Sequence, residues 1–160
     1  MFYCANRAVV SMVAAASRGC GVKGDNVKTQ AGHIQINGEA DNQSFYKDLF
    51  EFLGWNVLYE AEGIVGMSNG GPISLWFHGH TNGTANDQDG AGMNHFGFSA
   101  ESIADVDLTA GYLRGKGVEL LYGTPCNRPE YTSGEDELYY SIMFHSPDRI
   151  LFEVVYTGPK

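Results

Sequence analysis

The chain has 160 residues, 43% hydrophobic and 18% charged, which suits one compact domain with its own core. Its formal net charge of -9 makes a surface that repels phosphate, so nucleic acid and anionic membranes are excluded as partners. No apolar run reaches the roughly 20 residues that cross a bilayer.

Residues 1–30 stand apart. Ala8 to Ala16 is a short apolar stretch followed by a polar run to Gln30. As a secretory leader it has only Arg7 for a positive region, and Arg18 sits where small residues are wanted. It reads instead as a short additional helix or an extension packing on the domain edge. Cys4, Cys20 and Cys126 are an odd number without metal-type spacing, which points to a reducing, cytoplasmic setting. Cys126 is expected to be a small packing residue.

From Ala31 the first element is an alternating strand around His33, Ile34, Gln35 and Ile36. A helix follows, with Phe45, Leu49, Phe52 and Leu53 at helical spacing, Asp41 or Asn42 at its start and Gly54 at its end. Three strands come next: Trp55 to Glu60, Ile64 to Ser68, and Ile73 to His78. The order then repeats. Asn94 to Phe98 is a strand, and Ser99 or Ser102 can cap a helix carrying Ile103, Val106, Ala110 and Leu113. Val118 to Tyr122, Leu138 to Phe144 and Ile150 to Tyr156 are the last three strands. Each half is too short to bury a core alone, so the halves should be paired. The expected organisation is an extension (1–30), a first module (31–79), a linker (80–92) and a second module (93–160), the two modules forming one domain.

Three runs carry a family resemblance. "HIQINGEADNQSFYKDLFEFLGW" resembles the opening of a module of the vicinal-oxygen-chelate superfamily, the group of glyoxalase I, the bleomycin-resistance proteins and the extradiol dioxygenases. "MNHFGFSAESIADVDLTAGYLRGKGVEL" resembles a second opening. "NRPEYTSGEDELYYSIMFHSPDRILFEVVY" resembles the closing hairpin, with a Pro-Asp turn six residues before a glutamate. The turn here, Ser146-Pro147-Asp148-Arg149, lacks the usual leading Asp and following Gly.

The resemblance implies an α+β fold of two paired βαβββ modules forming a U-shaped cup of mostly antiparallel strands. It also implies a divalent metal (Fe, Mn, Ni or Zn) held by His33, His95 and Glu153. The alternation agrees: Ile34, Ile36, Phe96 and Phe98 take one face, leaving the histidines on the other. Glu153 interrupts an apolar strand, where an unpartnered carboxylate would be costly.

Aligning Gly70-Gly71 on Pro147-Asp148 sets Trp76 where glyoxalase I would want a fourth, carboxylate ligand. His78 shares that strand face and is the substitute to consider. Gln35, Ser99, Arg128 and Tyr131 are candidate substrate-binding residues, with Arg128 and Tyr131 in a loop able to clamp an anionic or carbonyl group. Glu153 and Tyr140 are the candidate catalytic residues. His80 and His145 read as surface residues of the linker and of a turn.

The implied activity is that of a metal-dependent lyase, isomerase, dioxygenase or thiol transferase acting on a small oxygen-chelating substrate. The alternative is a metal-free binding protein of the bleomycin-resistance type, holding a flat ligand against Trp76. A homodimer is expected, because modules of this kind pair within a chain or exchange between two.

Overall fold

The computed structural model describes residues 28–160, so Cys4, Cys20 and the stretch from Ala8 to Ala16 lie outside the described residues. The first half runs β1 (His33–Gly38), α1 (Gln43–Phe52), β2 (Asn56–Ala61), β3 (Ile64–Ser68) and β4 (Ser74–Gly79). The second runs β5 (Phe96–Ser99), α2 (Ile103–Gly115), β6 (Cys126–Asn127), β7 (Glu137–His145) and β8 (Leu151–Pro159). The first sheet has the order β1-β4-β3-β2 and the second the matching order β5-β8-β7-β6. In each, the first strand lies parallel to the last and the other pairings are antiparallel. The α+β architecture of two βαβββ halves is therefore present.

The register repeats as well. Gln35 lies opposite Trp76 in the first sheet, as Gly97 lies opposite Glu153 in the second. The second strand of the second half is displaced from its expected place. Val118 to Tyr122 makes only a bridge from Leu120 to Phe144, and the ladder strand is Cys126–Asn127. Tyr122 (φ 56°) and Gly123 (φ 71°) both take the left-handed conformation, which turns the chain out of an extended run.

Both helices end at a left-handed glycine, Gly54 and Gly117, where the absence of Cβ removes the steric penalty. Ser102 caps α2 by accepting from the Asp105 N–H at 3.2 Å. Asn42 stands at the N-cap of α1 without a capping side-chain bond, and its amide donates instead to Asp148 in the β7–β8 turn. The buried stripe of α1 is Tyr46, Leu49 and Phe50 rather than one running through Phe52, and Phe52 stacks on Tyr112 of α2 with centroids 4.0 Å apart. Ile103 likewise lies outside the buried stripe of α2, which is Val106, Thr109, Ala110 and Leu113.

Residues from both halves form one core. Phe50 is its junction, touching Phe77 of β4, Phe98 of β5 and Phe152 of β8. The apolar faces of both sheets are thus turned to a shared interior, which leaves each sheet's opposite face outside. No helix among the described residues is long and apolar enough to cross a membrane.

Candidate functional site on the outer faces of the sheets

Strand alternation delivers the chemistry. Phe152 and Val154 enter the core, so Glu153 between them points to the other face of β8. It is the one charged side chain buried among the described residues, at 6% exposure. Gly97 beside it has no side chain, and a Cβ there would stand 3.7 Å from the Glu153 carboxyl. The Tyr139 hydroxyl donates to Glu153 Oε2 at 2.9 Å. Burial, and after it this hydrogen bond, raise the Tyr139 phenol well above its ordinary range, so it remains a donor.

His95 Nε2 lies 3.5 Å from the same oxygen. Its other nitrogen is fixed by a chain of bonds. The Asn94 amide nitrogen donates to the Gln88 carbonyl at 2.9 Å, which turns its Oδ1 to His95 Nδ1 at 2.8 Å. That oxygen only accepts, so Nδ1 carries a proton. In the neutral ring, Nε2 then presents a lone pair to the carboxyl. Two electron-rich atoms face each other, and the arrangement is completed by a cation or by a second proton on the imidazole. A metal-bound histidine is commonly oriented through its second nitrogen in this way.

The first sheet's outer face is built differently. His33 and Gln35 are exposed on β1, and His33 pairs with Ser74. Trp76 lies flat over Gly66, where a Cβ would approach its ring to 2.8 Å, and its indole N–H donates to Ser74 Oγ at 3.0 Å. His78 is half-buried at the end of β4, with its ring 5.9 Å from that of His80. Because the apolar faces of both sheets turn inward, a single chain brings His95 and Glu153 together and leaves His33 apart. Among the described residues no three His, Cys, Asp or Glu side chains lie close enough to hold one ion.

The remaining candidates divide. Tyr140 is a correction: its hydroxyl donates to Asp107 of α2 at 2.9 Å, on the helix-covered face, and Tyr139 takes the place beside Glu153. Tyr131 reaches this face, its ring 5.2 Å from that of Tyr139. Arg128 is turned into its own loop, donating to the Tyr122 carbonyl at 3.0 Å with Glu130 at 4.0 Å. Ser99 ends β5 opposite Val155. His145 is not a free surface residue, since its Nε2 bonds the Gln88 side chain. Asn94 was missed as a positioning residue, although its place directly before His95 was the available signal.

Two βαβββ halves with matched registers give this chain the fold of solved structures described as glyoxalase, bleomycin-resistance and dioxygenase proteins. A candidate glyoxalase from Bacillus halodurans superposes with a TM-score of 0.66 at 23% identity, over 79% of this chain and 94% of that one. A glyoxalase/bleomycin resistance protein from Albidiferax ferrireducens gives 0.60 at 16% identity, over 78% and 97%. A glyoxalase/dioxygenase from Nostoc punctiforme gives 0.59 at 13% identity, over 89% and 99%. Neither a family model nor a curated protein matches the sequence.

Proposed function

We propose that the protein is a metal-dependent enzyme acting on a small substrate with two neighbouring oxygens, and that its site is completed between two copies. The observation that carries the reading is the buried Glu153 carboxyl facing the oriented Nε2 of His95. Two such donors suit a divalent ion of the iron, manganese, nickel or zinc kind. A bound ion would supply Lewis-acid activation of the substrate's oxygens. The chain's own groups do the rest. Asn94 sets the tautomer of His95, Tyr139 holds the Glu153 carboxyl in one orientation, and Tyr131 stands over it as part of a wall.

His33 belongs to the set as the third ligand, contributed by a second copy. It lies exposed at the start of β1, on the outward face that also carries Gln35 and Trp76. That face and the one carrying Glu153 look away from a common core, so one copy's first sheet can close over another's second.

The test is metal-dependent thermal stabilisation with elemental analysis of protein never exposed to a metal-affinity column. Manganese, iron, nickel or zinc is expected to raise the melting temperature by mass action, and Glu153→Gln to remove the rise without unfolding the chain. Mixing His33→Ala with Glu153→Gln protein separates shared from single-chain sites. In a shared site the mixed dimer regains one intact site, so about a quarter of the wild-type sites return. A site within one chain regains none. Absence of any metal and of any shift sinks the enzyme reading and leaves the metal-free binding protein.

A further inference from the structure

The two halves meet along two seams that the internal repeat makes equivalent, and the seams are filled differently. Along the first, Tyr46 stacks on Phe77 with centroids 4.1 Å apart and an interplanar angle of 14°. Its hydroxyl bonds Asp148 and Ser146 in the turn of the other half. Only about 10 Å³ stays open there, beside Gly38, Glu39 and Gly79.

Along the second, each filling residue has a smaller counterpart. Thr109 stands as far before Gly117 as Tyr46 does before Gly54. Val154 follows Glu153 as Phe77 follows Trp76, and the opposing turn presents Gly71. The result is a cleft of about 730 Å³, within the size range of small-molecule sites. Its walls include Leu53, Trp55, Phe98 and Leu108, and its rim carries Glu101 and Asp105. Among the described residues, no Lys, Arg or His lines it.

We infer that this cleft is a second binding site, taking a small organic cation with an aromatic body, of the arylalkyl-ammonium class. The ring would fill the volume that Tyr46 fills at the sister seam, against Trp55 and Phe98. The ammonium would meet the rim carboxylates, with the aromatic walls adding cation–π attraction. The cleft opens on the core side of β8 through Val154, and it is also lined by Gly97 and Ser99 of the edge strand β5. It stands whether or not the protein binds a metal.

The experiment uses the full chain carrying Trp76→Phe, which leaves Trp55 as its sole tryptophan. Three probes of matched size are titrated while Trp55 emission and heat are recorded: 2-phenylethylammonium, 2-phenylethanol and 3-phenylpropionate. The cation is expected to bind about tenfold more tightly than the alcohol, with the anion weakest. Glu101→Gln should narrow that preference, and Thr109→Tyr should abolish binding by supplying the missing ring. Leu108→Trp, at a position 65% exposed, blocks the mouth should the buried substitution fail to fold. Equal affinity for all three probes overturns the proposal, as does silence from all of them. Cation binding that fades as protein concentration rises assigns the cleft to a second copy and overturns it too.

Discussion

The outer faces of the two sheets share one backbone plan and carry opposite kinds of side chain. In the second, Glu153 sits opposite a bare Gly97, with a phenol and an imidazole on its carboxyl. In the first, the matching position is Trp76, opposite Gln35 and lying flat on Gly66. Where one sheet keeps room beside a charged group, the other spends its glycine on accommodating an indole. The repeated fold thus fixes where a side chain stands and leaves its chemistry free. One half supplies polar donors, and the other supplies an aromatic wall with a histidine at its margin.

The comparison assumes that both faces hang on one shared core, and Phe50→Ala attacks that assumption most strongly. Losing a ring that touches both sheets should cost about 3–5 kcal/mol. Hydrogen exchange should quicken in β4 and β8 together; protection lost from the first sheet alone would mean that the halves are stabilised separately. Next in size is the contrast between adjacent tyrosines. Tyr139→Phe should weaken metal binding roughly 10–100-fold, the range for a group that orients a ligand. Tyr140→Phe should leave metal binding unchanged and cost at most about 1 kcal/mol of stability. Equal effects on metal affinity would remove Tyr139 from the site.

The smallest effect lies at the end of β7, in His145. Burial, and then the charge of Arg149, lower its folded-state pKa below the ordinary 6.5. The unfolded chain therefore binds the extra proton first, and stability falls as pH drops through that window. His145→Gln should flatten this small decline in melting temperature below pH 6.5. A steeper decline in the variant would contradict the assigned direction.

Much of this was legible in the sequence, for identifiable reasons. Apolar alternation put His33 and His95 on non-core faces, because a strand's period of two leaves no other choice, whereas Glu153 was marked by the family resemblance and by interrupting an apolar run. Aligning the two closing turns set Trp76 against Glu153, and the ladder registers agree. The choice between Tyr139 and Tyr140 was not legible, since either tyrosine satisfies the pattern and only the pairing with β8 decides. The second strand of the second half was misplaced because Val118 to Tyr122 is apolar enough for a strand, while the turn at Tyr122 and Gly123 depends on backbone angles. The shortness of each half called for pairing, but the geometry of that pairing was not legible. That packing separates His33 from Glu153 within a chain.

The bond from Tyr46 to Asp148 spans 102 positions of the sequence. On the ribosome, the first half is finished long before the turn that anchors it has been made. Until β8 arrives, Phe50 lacks Phe152, and β5 lacks the strand it pairs with in the sheet. Contacts between such distant segments slow folding, and apolar surface waiting for a partner invites association with other chains. Folding of the first half is therefore coupled to the arrival of β8, which supplies Phe152 to Phe50 and a partner to β5.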